Sequence, residues 1–241
     1  MPDRMVLMDR SYDSSLLSGG EPLDLRNIDA GAFRAILERC RSERLRMYHM
    51  TIADLSGIEA LRSVSDLALE WAPKVTSIAP VLAMKWLHRL TLVDLPKIRD
   101  FEGLGALANL RQLEASGGVW RPLRIASISP ISGLNSLEHL TLQQIRIEDD
   151  NISKLADLKG LRRLVLSNQF ERAQVAYLAK RLNPQLEAPL TAHVETNLAC
   201  ERCGSVKFMF TGRRMPFLCR ACDFARFEKL TQEFATLENA V

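Results

Sequence analysis

The residues best equipped for chemistry are the cysteines. Five are present, Cys40, Cys200, Cys203, Cys219 and Cys222, and four of them fall within 23 positions. Cys200-Glu-Arg-Cys203-Gly204 and Cys219-Arg-Ala-Cys222 form two CxxC pairs separated by 15 residues. Each pair can bend around one ion and present two thiolates, and this spacing falls in the range of structural zinc sites. Four thiolates complete a tetrahedral shell and leave no position for water. A zinc ion held this way is expected to be structural, one per chain, rather than catalytic. Gly204 follows the first pair, where a knuckle needs a residue tolerant of positive φ. Redox thiols and two local disulfides are the competing readings. An odd count with four cysteines clustered argues against a disulfide framework for the whole chain.

The remaining chemistry-bearing residues form no recognisable motif. His49, His88, His139 and His193 are scattered, and the chain has no phosphate-binding loop, dinucleotide fingerprint or GxSxG elbow. The reading is therefore of a protein that is not an enzyme, with no small-molecule substrate evident.

The cysteine pairs need elements to hold them. Val206-Lys-Phe208-Met-Phe210 has strand character, Thr211-Gly212-Arg213 reads as a turn, and Pro216-Phe217-Leu218 leads into the second pair. After Cys222, the residues Phe224, Phe227, Leu230 and Phe234 share one helical face. Knuckle, hairpin and helix together resemble a treble clef more than a plain zinc ribbon. A zinc module over residues 198–241 follows, in which the metal folds a segment lacking a large core of its own.

The body of the chain is built on a repeat. Leu67-x-Leu69, Leu90-x-Leu92, Leu140-x-Leu142 and Leu164-x-Leu166 each follow an apolar residue three positions earlier, and Leu113-x-Ala115, Leu45-x-Met47 and Leu23-x-Leu25 keep the same phase. The first leucines are separated by 22, 22, 23, 23, 27 and 24 residues. Leu-x-Leu is a period-2 pattern and belongs on a strand, not on a bundle helix. The return segments place apolar residues at every third position, as in Ile98, Phe101, Leu104, Leu107 and Leu110, which suits 3₁₀ turns.

Over roughly Pro22 to Leu182 this pattern resembles leucine-rich repeats of the short 22-residue class, as in bacterial leucine-rich-repeat proteins that end in a cysteine-rich tail. The resemblance implies an α/β solenoid: a right-handed superhelix with a parallel concave sheet, plus the small zinc-binding hairpin and helix module. No single unit buries its own leucines, so stacking closes the core. One departure is clear. The asparagine that such repeats usually carry three residues after the second leucine is replaced by Leu95, Gly118, Ile145 and Gln169. The 27-residue interval implies an enlarged loop over Gly117–Ser129, with Trp120 as an exposed aromatic beside Arg121 and Arg124.

The domain organisation follows: an N-terminal segment over 1–21, the solenoid over 22–184, a linker over 185–197 and the zinc module. Phe33, Ile36, Leu37 and Cys40 mark an N-terminal helical cap, with Cys40 as a small buried hydrophobe. Ala173–Leu182 reads as a closing helix stopped by Asn183-Pro184.

The architecture also implies a binding face. Residues flanking the buried leucines line the concave sheet in three columns. The expected protein-binding set is Arg44, Arg46, Tyr48, Asp66, Glu70, Arg89, Thr91, Gln112, Glu114, His139, Thr141, Gln143 and Arg163, with Tyr48, Trp71 and Trp86 as candidate anchors. These columns mix charges, hydroxyls and amides without a stripe of one sign, which suits a protein or peptide partner more than a phosphate backbone.

Charge leaves a second reading open. The chain carries a formal +3. Residues 200–229 hold seven basic and three acidic groups, a net +4, leaving −1 for the rest. Zinc with four thiolates adds −2, so a metallated module sits near +2. Arg213, Arg214 and Arg220 are its candidate nucleic-acid contacts, making a nucleic-acid-associated regulator the alternative to a protein-interaction scaffold. No apolar run approaches the roughly 20 residues needed to cross a bilayer. The apolar patch at Met5–Met8 is broken by Asp9, Arg10 and Asp13, so a cytoplasmic protein with no membrane partner is expected.

Overall fold

The computed structural model describes residues 3–9 and 11–240. Thirteen strands and four α-helices are defined among them. The strands are β1 (Arg4–Leu7), β2 (Leu23–Ile28), β3 (Arg44–Met50), β4 (Asp66–Glu70), β5 (Arg89–Val93), β6 (Gln112–Ser116), β7 (Leu123–Ile125), β8 (His139–Gln143), β9 (Ile145–Ile147), β10 (Arg163–Leu166), β11 (His193–Ala199), β12 (Val206–Phe210) and β13 (Phe217–Cys219). The helices are α1 (Ala30–Arg39), α2 (Ala79–Leu82), α3 (Arg172–Leu182) and α4 (Phe224–Asn239).

Eight strands form one parallel sheet in the order β1-β2-β3-β4-β5-β6-β8-β10. Every Leu-x-Leu pair lies on a strand of this sheet, in one register: Leu45 pairs with Leu67, Leu67 with Leu90, Leu90 with Leu113, Leu113 with Leu140 and Leu140 with Leu164. The leucines of the Leu-x-Leu positions from Leu23 to Leu164 are buried, and Leu166 at the last strand is half-buried. Period-2 spacing alone makes this possible, because it sends both leucines to one side of the pleat. Each fully buried leucine contributes about 1.5–3 kcal/mol of transfer free energy. On the return side, 3₁₀ turns at Ile58–Ala60, Leu104–Ala106, Ser129–Gly133 and Ser153–Asp157 carry the expected third-position residues inward. The chain is thus a leucine-rich-repeat solenoid.

The missing asparagine column has a structural replacement. Asn27, His49, Trp71, Asp94 and Gln144 all adopt left-handed backbone, with φ between 49° and 64°. Each immediately precedes a buried apolar residue: Ile28, Met50, Ala72, Leu95 and Ile145. Simple alternation would turn those apolar side chains outward, since the buried leucine or, at Met47, methionine three residues earlier points in. One left-handed residue resets the phase and swings the next side chain back into the core. Burial of an apolar residue thereby replaces the amide-to-backbone bonding that asparagine would give.

Several boundaries differ from the sequence expectation. Residues 1–21 are not merely a leading segment, because β1 pairs in parallel with β2 and adds an edge strand, with Val6 opposite Leu25. Helix α1 lies between β2 and β3 and does not precede the sheet. Asp29 caps it, accepting from the Ala32 amide at 2.8 Å. Cys40 sits one residue past the helix end, fully buried, and that burial pushes its thiol pKa up. The enlarged loop is partly ordered as β7, which pairs with β9 in a separate two-stranded parallel sheet. Gly117 makes this crossing possible: a Cβ there would lie 2.3 Å from the Gln144 carbonyl oxygen and 2.5 Å from the Leu123 nitrogen. Finally, the stretch expected as a linker contains the start of β11, which pairs antiparallel with β12. Its alternation of Val194, Thr196 and Leu198 with polar residues is a weak strand signal, and the pairing comes from the hairpin beside it.

Candidate metal centre and sheet face

The metal centre is assembled by β11, β12, β13 and the start of α4. The first knuckle closes with the Gly204 amide donating to the Cys200 carbonyl at 2.8 Å, and the Cys200 amide to the Ser205 carbonyl at 2.7 Å. Gly204 takes φ 74°, the left-handed turn a knuckle requires. In the second knuckle the Asp223 amide donates to the Cys219 carbonyl at 2.9 Å. The four sulfurs of Cys200, Cys203, Cys219 and Cys222 lie within 4.8 Å of one another. Cys203 and Cys219 are 3.5 Å apart and Cys200 and Cys222 are 3.9 Å apart. A tetrahedral ion with bonds of about 2.3 Å separates its sulfurs by about 3.8 Å, so the cluster fits one ion. A disulfide, at about 2.05 Å, does not fit these separations.

The thiols are prepared unequally. The Ser205 hydrogen bond, aided by neighbouring thiols, holds Cys203 down to about 6, and backbone amides lower Cys200. Cys222 is pushed up to about 12, first by its bond with Cys203 and then by burial. Such a cluster shares protons among neighbours until a cation replaces them. Asp223 is a positioning residue that the spacing of the cysteines did not expose. Its carboxylate pairs with Arg202 of the first knuckle and accepts the Cys219 amide of the second at 3.1 Å, tying the two together.

This module is docked on the end of the solenoid. Phe227 belongs to its small core with Phe210 and Leu218, whereas Phe234 joins the solenoid core. The helical face expected to carry four apolar residues is therefore split between two cores, and Phe224 at its start remains exposed. Arg172 of α3 donates to the carbonyls of Thr211 and Leu230 and lies over the rings of Phe210 and Phe234.

The three columns of the solenoid sheet fall in register as their spacing predicts. Arg44, Asp66, Arg89, Gln112, His139 and Arg163 are successive strand partners. The two halves of this face differ. Toward β1 the charges satisfy each other. Arg46 holds Glu70 at 2.5 Å and Asp24 at 2.8 Å, and Asp66 lies 3.2 Å from Arg44 and 3.4 Å from Arg89. Over this lattice Tyr48 is flanked by the guanidiniums of Arg26 and Arg46 and lies 5.6 Å from Trp71. Trp71 in turn stacks on His49 at 4.1 Å and is 42% exposed. Toward β10, Thr91, Gln112, Glu114, His139, Thr141, Gln143 and Arg163 make no side-chain hydrogen bond among the described residues. Trp86 is not on this face. Its indole donates to the Val64 carbonyl at 2.8 Å and Arg62 covers the ring, so it packs the return side.

The three module arginines are placed differently from one another. Arg213 is consumed by the dock, pairing with Asp150 at 2.5 Å and Glu171 at 3.2 Å. Arg220 lies 3.4 Å from Glu228 and over Phe227. Arg214 has no carboxylate in ion-pair range among the described residues. No helix among the described residues is long and apolar enough to cross a membrane.

The repeat and the sulfur cluster define the class: a leucine-rich-repeat solenoid closed by a four-cysteine module with the geometry of a metal site. No family model matches the chain, and no curated protein matches it. Among solved structures, internalin C2 of Listeria monocytogenes aligns at 22% identity and TM-score 0.41, covering 58% of this chain and 57% of that one. Internalin F of the same organism aligns at 19% identity and TM-score 0.37, covering 68% and 50%. A leucine-rich-repeat protein of Leptospira interrogans aligns at 18% identity and TM-score 0.44, covering 67% and 39%. This chain spans between 39% and 57% of the length of these neighbours.

Proposed function

We propose that this protein is a non-catalytic interaction scaffold, acting in the cytoplasm, that receives a protein or peptide on the exposed solenoid sheet. In this reading the tail is a cap held by one structural zinc ion on Cys200, Cys203, Cys219 and Cys222. The observation that carries the reading is the pairing of Tyr48 and Trp71. Half-buried Tyr48 on β3 and exposed Trp71, one residue past the end of β4, lie with their rings 5.6 Å apart. Tyrosine and tryptophan beside arginines are the composition of interface hot spots, and Tyr48 has Arg26 and Arg46 against its ring. The unpaired amides and hydroxyls of Gln112, Thr141 and Gln143 supply directional contacts farther along. The self-paired charges near β1 supply a preorganised floor.

The test is affinity purification of full-length protein beside its Trp71→Ala and Tyr48→Ala variants, read by quantitative mass spectrometry. A partner recovered with the parent and depleted at least tenfold with both variants supports the reading. Partners unaffected by either change would refute the assignment of the face.

The nucleic-acid reading keeps one of its three arginines free of ion pairs, Arg214, since Arg213 and Arg220 are engaged within the chain. Two internal partners on Arg213 favour the structural role for that turn.

A further inference from the structure

A cavity of about 720 Å³ opens where the two-stranded sheet β7–β9 meets the tail module. Its lining includes Arg124, Arg146 and Arg214, together with Glu148 and the Arg213–Asp150 pair. The register of the small sheet sets Arg124 directly opposite Arg146. Their neighbours Leu123, Ile125, Ile145 and Ile147 are buried, so both arginines stand on the outer face side by side. Like charges opposed across two strands are destabilising. Among the described residues neither arginine lies within ion-pair range of a carboxylate.

Arg213 is shared between Asp150 of the lining and Glu171 beyond it. Counted over the lining alone, four arginines face the carboxylates of Glu148 and Asp150, a net of +2, and three of the arginines are in no ion pair among the described residues. Guanidiniums present paired N–H donors in a plane, the geometry that grips a phosphate through two oxygens. The cavity falls in the range of small-ligand sites. We propose that this groove binds a phosphomonoester dianion, with Arg124 and Arg146 as the gripping pair and Arg214 closing from the tail module. The charge of such a group, near −2 at neutral pH, matches the lining, and the presence of Glu148 disfavours a longer polyanion. Because Arg214 comes from the turn beside the docking residue Arg213, occupation also joins tail to solenoid.

The test is titration of the full-length protein with inorganic phosphate and with adenosine 5′-monophosphate, at ionic strength held constant with sodium chloride, read by calorimetry. Saturable binding weakened at least tenfold in Arg124→Gln and in Arg146→Gln is the result expected. Tighter binding of the nucleotide would show that the ester body also occupies the groove, and equal binding would show that the anion alone is held. No saturable binding of either probe, or binding unaltered in both variants, overturns the proposal. A second readout does not depend on the ligand. In phosphate-free, low-salt buffer both variants should melt above the parent, because an uncompensated like-charge pair is relieved. Melting below the parent would contradict the premise that the pair lacks a partner.

Discussion

Asn168 engages the tail with both ends of its amide: Nδ2 donates to the Phe210 carbonyl at 2.8 Å, and Oδ1 accepts the Gly212 amide at 2.5 Å. These residues are 44 positions apart for the Gly212 contact, so one side chain at the end of the last repeat fixes the turn of the module's hairpin. Asn168→Ala removes both bonds and leaves a partly buried carbonyl and amide without partners. The expected loss is about 1–3 kcal/mol. Hydrogen exchange should show it as faster exchange in 206–212 with the central strands β4 to β6 unchanged. Equal acceleration throughout would mean that the cap and solenoid unfold as one unit.

The paired leucines make a graded prediction. Leu90 is fully buried in the centre of the sheet, with Leu67 and Leu113 on either side. Leu90→Ala should cost about 2–5 kcal/mol in chemical denaturation. Thr91, its neighbour on the opposite side of the pleat, should tolerate Thr91→Ala within about 0.5 kcal/mol. Similar losses at both positions would deny the alternation on which the solenoid rests.

His193 gives the tail a defined pH response. Its ring lies among Phe208, Phe210 and Phe227, at 4.6 Å from the last. Burial lowers its pKa from the ordinary 6.5, Arg220 and Arg172 lower it further, and Glu228 opposes them. The folded tail therefore prefers neutral histidine. Its contribution is present above about pH 6.5, where the unfolded residue is neutral too. It is lost as pH falls through the lowered folded value, because only the unfolded chain takes up the proton. His193→Phe should flatten the fall in stability on acidification below pH 6.5. Thiolate protonation acts in both proteins, so the difference between their pH profiles isolates the histidine. Superimposable profiles would remove it from the account.

The parts legible from sequence are those governed by short, fixed spacing. Leu-x-Leu at near-constant intervals gives strands and register, because a one-residue slip would expose every leucine. Two CxxC pairs give the sulfur cluster for the same local reason. What escaped depends on distant partners. Arg4-Met5-Val6-Leu7 carries no leucine pair and becomes a strand through β2. The three-residue strands β7 and β9 are too short to show periodicity, so the basic groove where their sheet meets the tail module stayed hidden. Trp71 could be named as a candidate anchor of the face, but the left-handed backbone of Trp71 and His49 stayed hidden, because that conformation follows from the need to bury Ala72 and Met50. Arg213 looked like a free basic turn until Asp150 and Glu171, far upstream, came into range.

In the proposed function a metal ion on the four cysteines folds the tail against the last repeat. Native mass spectrometry of protein purified without added metal, coupled to hydrogen exchange before and after chelation, tests it directly. One zinc ion per chain, with protection of 193–240 lost on chelation and the central strands retained, is the predicted result. A metal-free chain in which that segment stays protected would contradict it.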